Sequence, residues 1–114
     1  MEQGPGDAHL AAWLDARNAP AVAAMLQALA APSRLLILAQ LRDGPLAVTT
    51  LSEALGLRQP SVSHHLGLLR AAGLVSGVRD GRSVFYRLRN EHVTALLDAI
   101  VRHGEHVRAA AGRE

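Results

Sequence analysis

The chain has 114 residues, 49% hydrophobic and 19% charged, which is the balance of one globular domain and argues against a disordered tail. It lacks cysteine, which excludes disulfides, thiolate metal sites and cysteine nucleophiles, and it has no run of about 18 apolar residues that could span a membrane. The formal net charge is only +2, but every basic residue is arginine and the arginines are unevenly placed.

Residues 1–18 are expected to form an arm and a short helix, and residues 19–111 the main domain. The stretch before Leu10 carries Glu2 and Asp7 and no basic, apolar leader, so a cytoplasmic protein is the expectation. Asp7 is placed to cap a short helix with Leu10, Trp13 and Leu14 on one face. A solvent-exposed tryptophan is unusual, so a dimer interface is the natural place for Trp13. Alanine and leucine, both strong helix formers, fill 40 positions, and aromatics are only 3%. The fold should therefore be mainly α, with an aliphatic core small enough to gain from dimerisation.

Pro20 suits the first turn of a helix with Val22, Met25, Leu26 and Leu29 at core spacing. Pro32 and Ser33 restart the chain, and Leu35, Leu36, Leu38 and Leu41 continue helically to the stop at Asp43-Gly44-Pro45. Thr49 or Thr50 is placed to cap the next helix, and Thr50 with Glu53 fits a capping box. Leu55-Gly56-Leu57 ends it. Pro60 then opens a second helix whose Val62, Leu66, Leu69 and Gly73 share a face. Two short helices around a tight glycine turn form the helix-turn-helix pattern. Two β-leaning runs, Leu74 to Arg79 and Ser83 to Leu88, flank Asp80-Gly81, a hairpin signal. A last helix runs from about Glu91 to Ala111 with an apolar stripe of Val93, Leu96, Leu97, Ile100 and Val101. This order, mainly α with a small β-hairpin, is that of a winged helix-turn-helix, expected as a homodimer.

Residues 54–90 hold Arg58, Arg70, Arg79, Arg82, Arg87 and Arg89 against one acid, Asp80, while both flanks are slightly acidic. A basic middle third points to a polyanion. On the second helix of the pair, Pro60, His64, Gly67 and Ala71 face outward, with Ser61 and Ser63 on the flanks. A small, polar outer face is what the first turns of a helix need to enter a major groove about 12 Å wide. Gln59, Ser61, Ser63 and His64 are placed to reach base edges or phosphates, and Arg58 and Arg70 bracket the helix. Arg79 and Arg82 flank the hairpin tip and are placed for the DNA backbone or minor groove. The expected partner is double-stranded DNA with a palindromic operator.

The runs Ala31-Pro32-Ser33-Arg34-Leu35, Leu51 to Leu57, Gln59-Pro60-Ser61-Val62-Ser63-His64-His65-Leu66, Asp80-Gly81-Arg82 and Tyr86-Arg87-Leu88 resemble the ArsR/SmtB family over about residues 20–107. The resemblance implies a bacterial, dimeric winged-helix regulator, typically a repressor released by metal. It also implies that Gln59, Ser61, Ser63 and His64 face DNA.

Six histidines remain to be placed: His9, His64, His65, His92, His103 and His106. His103 and His106 are one turn apart and share a helix face, a workable metal pair. His92 lies on the same stripe, within about 20° of His103, but about 16 Å away along the axis. One helix therefore cannot gather all three. An antiparallel copy crossing near Asp98 and Ala99 can bring His92 of one chain to His103 and His106 of the other, giving two equal sites per dimer. Family members that bind metal through the last helix resemble this spacing, with an aspartate where Asn90 stands here. A neutral amide is a weaker ligand. The resemblance implies that His9, on the N-terminal arm, can add a ligand. An all-nitrogen-and-oxygen set favours nickel, cobalt or zinc over thiolate-seeking ions, and the resemblance implies nickel first, then zinc or cobalt. The expected mechanism is metal-dependent release from the operator.

Rival readings are a winged-helix factor not gated directly by metal, or gated by a protein co-regulator, and an enzyme. No nucleophile elbow surrounds Ser61 or Ser63, and no Glu-x-x-His with a general base accompanies His103 and His106, so an enzyme is not expected. The three aromatic residues, Trp13, Phe85 and Tyr86, offer no stacking platform for single-stranded RNA.

Overall fold

The structure, a computed structural model, describes residues 12–112. The expected Asp7 cap and Leu10 lie outside that range. Ala12 and Trp13 are helical, and Trp13 is 56% exposed in the single chain. Helix α1 (Ala19–Leu29) opens with proline in its first turn. Ala31, preceding Pro32, is held extended at φ −141° and ψ 129°, because a residue before proline is excluded from the helical region. That single extended residue ends α1 and sends α2 (Pro32–Leu41) off at a bend of 83°. Arg34 secures the corner. Its Nε donates to the Ala28 carbonyl at 2.6 Å, one of those a helix end leaves without an intrahelical partner, and its Nη2 to that of Gln27 at 3.3 Å, which also accepts the Ala30 N–H at 3.1 Å.

On α2 the buried face is Ile37, Leu38 and Leu41, while Leu35 and Leu36 open to solvent. The expected leucines are all helical; Ile37, Leu38 and Leu41, at i, i+1 and i+4, share the buried side. Leu26 on α1 is likewise exposed, and Leu29 alone of that helix is buried.

Strand β1 (Leu46–Ala47) was not foreseen, being too short to show alternation. It ends directly in α3 (Val48–Leu55), whose N-cap is Ala47 without a side-chain bond. Thr49 and Thr50 therefore sit inside the helix rather than capping it, because the strand fixes where the helix begins. Gly56, at φ +65°, closes α3 in the left-handed region that glycine enters without strain. Helix α4 (Gln59–Ala71) ends in a Schellman motif. Gly73, at φ +76°, donates to the Arg70 carbonyl at 3.0 Å, and Leu74 donates to that of Leu69 at 3.0 Å. Gly73 thus terminates α4 and does not extend its buried face.

Strands β2 (Val75–Asp80) and β3 (Ser83–Leu88) form the wing, with β1 on the other side of β3 in an antiparallel sheet ordered β1-β3-β2. Asp80 pairs with Ser83, so the turn residues are Gly81 and Arg82, one step later than Asp80-Gly81. Only Gly81 has positive φ, the pattern of a type II′ turn, which matches strand twist. Helix α5 (Glu91–Ala111) completes the order.

The buried side chains of the described residues are all aliphatic, and none is polar. Leu51, Val62, Leu66 and Leu69 bring α3 and α4 together. Leu74, Val75 and Leu88 root the wing, and Val93 and Leu97 seat the first turns of α5. Burying each leucine contributes about 1.5–3 kcal/mol. This core fixes α4 and the wing on one body. No single helix among the described residues is long and apolar enough to cross a membrane.

Candidate nucleic-acid interface and metal-binding helix

The turn that presents α4 is tied internally. The Leu57 N–H donates to the Ser52 carbonyl at 3.1 Å, and the Ser52 hydroxyl donates to the Leu57 carbonyl. Arg58 is the N-cap of α4 and makes no side-chain capping bond. Val62, Leu66 and Leu69 are fully buried, which forces the opposite face outward. Arg58, Gln59, Ser63 and His64 are exposed there, Ser61 is half-buried, and Arg70 is exposed on the last turn.

His65 behaves differently from His64, and the sequence alone did not single it out. It is half-buried, and its Nδ1 lies 3.4 Å from an Arg34 guanidinium nitrogen. Arg34 therefore joins the end of α1 to the middle of α4. Burial, then the Arg34 charge, then His64 hold the His65 imidazole below the ordinary histidine pKa. A neutral Nδ1 facing a guanidinium acts as acceptor and leaves the proton on Nε2. The two histidine rings are tilted, 5.7 Å apart.

On the wing, Arg82 sits in the turn and Arg79 lies opposite Val84, one pair down the strand from Asp80. Arg87 is on the other face, with its Nε 3.4 Å from Ser76 Oγ. Arg58, Arg70, Arg79, Arg82, Arg87 and Arg89 are all exposed, and among the described residues none is in an ion pair. The arginines that do pair with acids, Arg17 and Arg42, lie outside this region. Arg87 and Arg89 thus join the basic surface beyond the arginines expected to contact DNA, and their place in the basic middle third is the signal that marks them.

Helix α5 opens at Asn90, whose Oδ1 accepts the His92 N–H at 3.0 Å and the Val93 N–H at 3.2 Å. This cap engages the same oxygen considered as a metal ligand. Beyond Asp98 every described residue of α5 is exposed, including Ile100, Val101 and Val107. The apolar stripe that begins buried as Val93 and Leu97 thus continues without a cover in the single chain. At 100° per residue His92, His103 and His106 fall within about 60° of one another beside that stripe. All three are exposed. Among the described residues of one chain, no three His, Asp or Glu side chains come together as a metal site. His9 lies outside the described residues. The donor set fits a borderline divalent ion only if a second chain completes it.

A model of the family described as "Bacterial regulatory protein, arsR family" matches residues 31–76. The chain is 56% identical over 94 residues to the HTH-type transcriptional regulator NmtR of Mycobacterium tuberculosis, covering 82% of this chain and 78% of that protein. It is 49% identical over 82 residues to the HTH-type transcriptional repressor SmtB of the same organism, covering 71% of this chain and 61% of SmtB. The solution structure of apo-NmtR superposes with a TM-score of 0.69 at 57% identity, covering 82% of this chain and 78% of NmtR. The homodimeric winged helix-turn-helix DNA-binding domain Mb0332 of Mycobacterium bovis superposes with a TM-score of 0.76 at 33% identity, covering 86% of this chain and 94% of that one.

Proposed function

The chain belongs to the ArsR family of bacterial regulatory proteins, and from that premise we propose that it is a dimeric regulator whose hold on a palindromic operator is set by a divalent metal bound between two copies. The family's members are transcription regulators with a winged helix-turn-helix, which retires the enzyme readings. The observation that carries the DNA reading is the set of six exposed arginines without acidic partners, gathered around α4 and the wing. Phosphates supply the missing negative charge.

In this reading Gln59, Ser61, Ser63 and His64 enter the major groove and meet base edges. Arg58 and Arg70 hold phosphates at the two ends of α4, and Arg79 and Arg82 hold the backbone or minor groove at the wing. The uncovered stripe of α5 packs against its counterpart in a second copy. That packing sets the distance between the two α4 helices, which must lie about one DNA turn apart to meet both half-sites. His92 of one copy with His103 and His106 of the other would hold nickel, or else zinc or cobalt, with Asn90 and His9 as further candidate ligands. A metal ion there would cross-link the two α5 helices by coordination. The regulator acts in the cytoplasm, where its operator lies.

Isothermal titration with nickel, zinc and cobalt tests the site. Two ions per dimer in the wild type, lost in a His103→Ala/His106→Ala variant, is the expected result. The capping use of Asn90 favours a second reading, in which the histidines only rim the interface and a partner protein or no effector controls release. Binding indifferent to that variant is its signature.

A further inference from the structure

Arg42, the residue closing α2, reaches across to the middle of α5. Its Nε donates to Asp98 Oδ1 at 2.9 Å and its Nη2 to Asp98 Oδ2 at 2.8 Å, a two-pronged contact between residues 56 positions apart. Leu35, Ala39, Leu97, Ile100 and Val101 line the hollow between α2 and α5 in which the pair sits. Those apolar walls keep part of the solvent off the charges, and the Asp98 side chain is only 34% exposed. Apart from the Asn90 cap, it is the one side-chain hydrogen-bonded link between α5 and any other element among the described residues.

The rest of the attachment is apolar. Val93 and Leu97 are buried in the core and Leu96 packs against it, while beyond Asp98 the helix is exposed, with Ile100 and Val101 edging the hollow. Apolar contacts confined to the single turn of Val93, Leu96 and Leu97 fix a position but resist rocking of so long a helix weakly. A planar guanidinium fork on a carboxylate does restrict direction, because both oxygens must be met at once. The other end of the fork is rigid as well, since α2 packs on α4 through Ile37 and Leu38 in the shared core.

We infer that the Arg42–Asp98 fork is a positioning element that fixes the direction of α5 relative to α4, and so sets the spacing of the two recognition helices in the dimer. The inference rests on the dimeric reading above but not on metal gating. It makes Arg42 and Asp98 positioning residues for operator binding without contact to DNA. The Asp98 carboxyl is held below its ordinary pKa, chiefly by the hydrogen bond from Arg42, so the fork is intact at neutral pH.

The natural chain has no cysteine, so an Ala71→Cys change on exposed α4 gives each copy one unique label position. Label-to-label distances are then measured by pulsed dipolar spectroscopy on the metal-free, DNA-free dimer, and operator affinity is measured separately on the unlabelled proteins that keep Ala71, since Ala71 lies on the outward face of α4. The set is wild type, Arg42→Gln, Asp98→Asn and the double variant, with Arg42→Lys as the charge-retaining control and melting curves to confirm folding. The expected result is a narrow distance distribution in the wild type that broadens in both single variants. Operator affinity falls about fivefold or more in each, and the double variant is no worse than either single, because both act through one contact. Arg42→Lys keeps the charge and loses the fork, so it falls with the singles. Single variants with the wild-type distribution and affinity would overturn the inference, as would losses that add in the double. A loss confined to Arg42→Gln would mean that Arg42 binds phosphate instead. A wild-type spacing and affinity that ignore nickel, zinc and cobalt would contradict metal gating while the variant series still decides the fork.

Discussion

Asn90 Oδ1 accepts two backbone N–H groups at the start of α5, so this side chain holds the helix whatever else it does. Asn90→Ala is expected to cost about 0.5–2 kcal/mol, read as a lower melting temperature. Asn90→Asp keeps the cap and places a negative charge at the helix N-terminus, which is favourable. It is expected to leave stability equal or higher while tightening metal binding, by titration. His65 is the residue for pH. Its folded state disfavours the proton, so below the ordinary pKa of 6.5 the unfolded chain binds more protons than the native one. This contribution is full above about pH 6.5 and is lost as pH falls from there toward the lowered native value. A His65→Gln variant is expected to lose less melting temperature than the wild type between pH 7 and pH 5. An equal loss in both would remove His65 from the account.

At the scale of the element, the proposed function divides the DNA work between α4 and the wing. Arg82→Ala is expected to weaken binding to all sequences alike and to lower the salt slope by about 1, whereas Gln59→Ala and Ser63→Ala should relax preference at single base pairs by about 1–3 kcal/mol. Anisotropy titrations against cognate and mismatched duplexes over a salt series separate the two. The helix-turn-helix, the hairpin and α5 were legible in the sequence because each is marked by residues that act locally: Pro60, Gly56, the glycine of the wing turn and a long apolar stripe. Strand β1 was not, since two residues carry no period and its identity comes from pairing with Tyr86 and Phe85. The threonine caps failed for the same reason, because a tertiary pairing set the start of α3. The Arg34–His65 and Arg42–Asp98 contacts join residues 31 and 56 positions apart, and no local pattern announces such pairs.

At the scale of the molecule, the chain keeps an apolar stripe uncovered on the half of α5 that leaves the body, with Val101 58% exposed. Val101→Asp is expected to shift the protein from dimer to monomer by sedimentation and to weaken operator binding with it, since one half-site alone then holds each chain. The histidines border that stripe, so the surface proposed to join two copies is also the one that would sense the metal. Operator affinity with nickel, zinc or cobalt against chelator, in the wild type and in His103→Ala/His106→Ala, measures that connection most directly. Added metal is expected to lower affinity about 5- to 150-fold in the wild type, corresponding to about 1–3 kcal/mol of coupling, and not at all in the variant. Equal affinity in metal and chelator, or a variant that responds like the wild type, would contradict it.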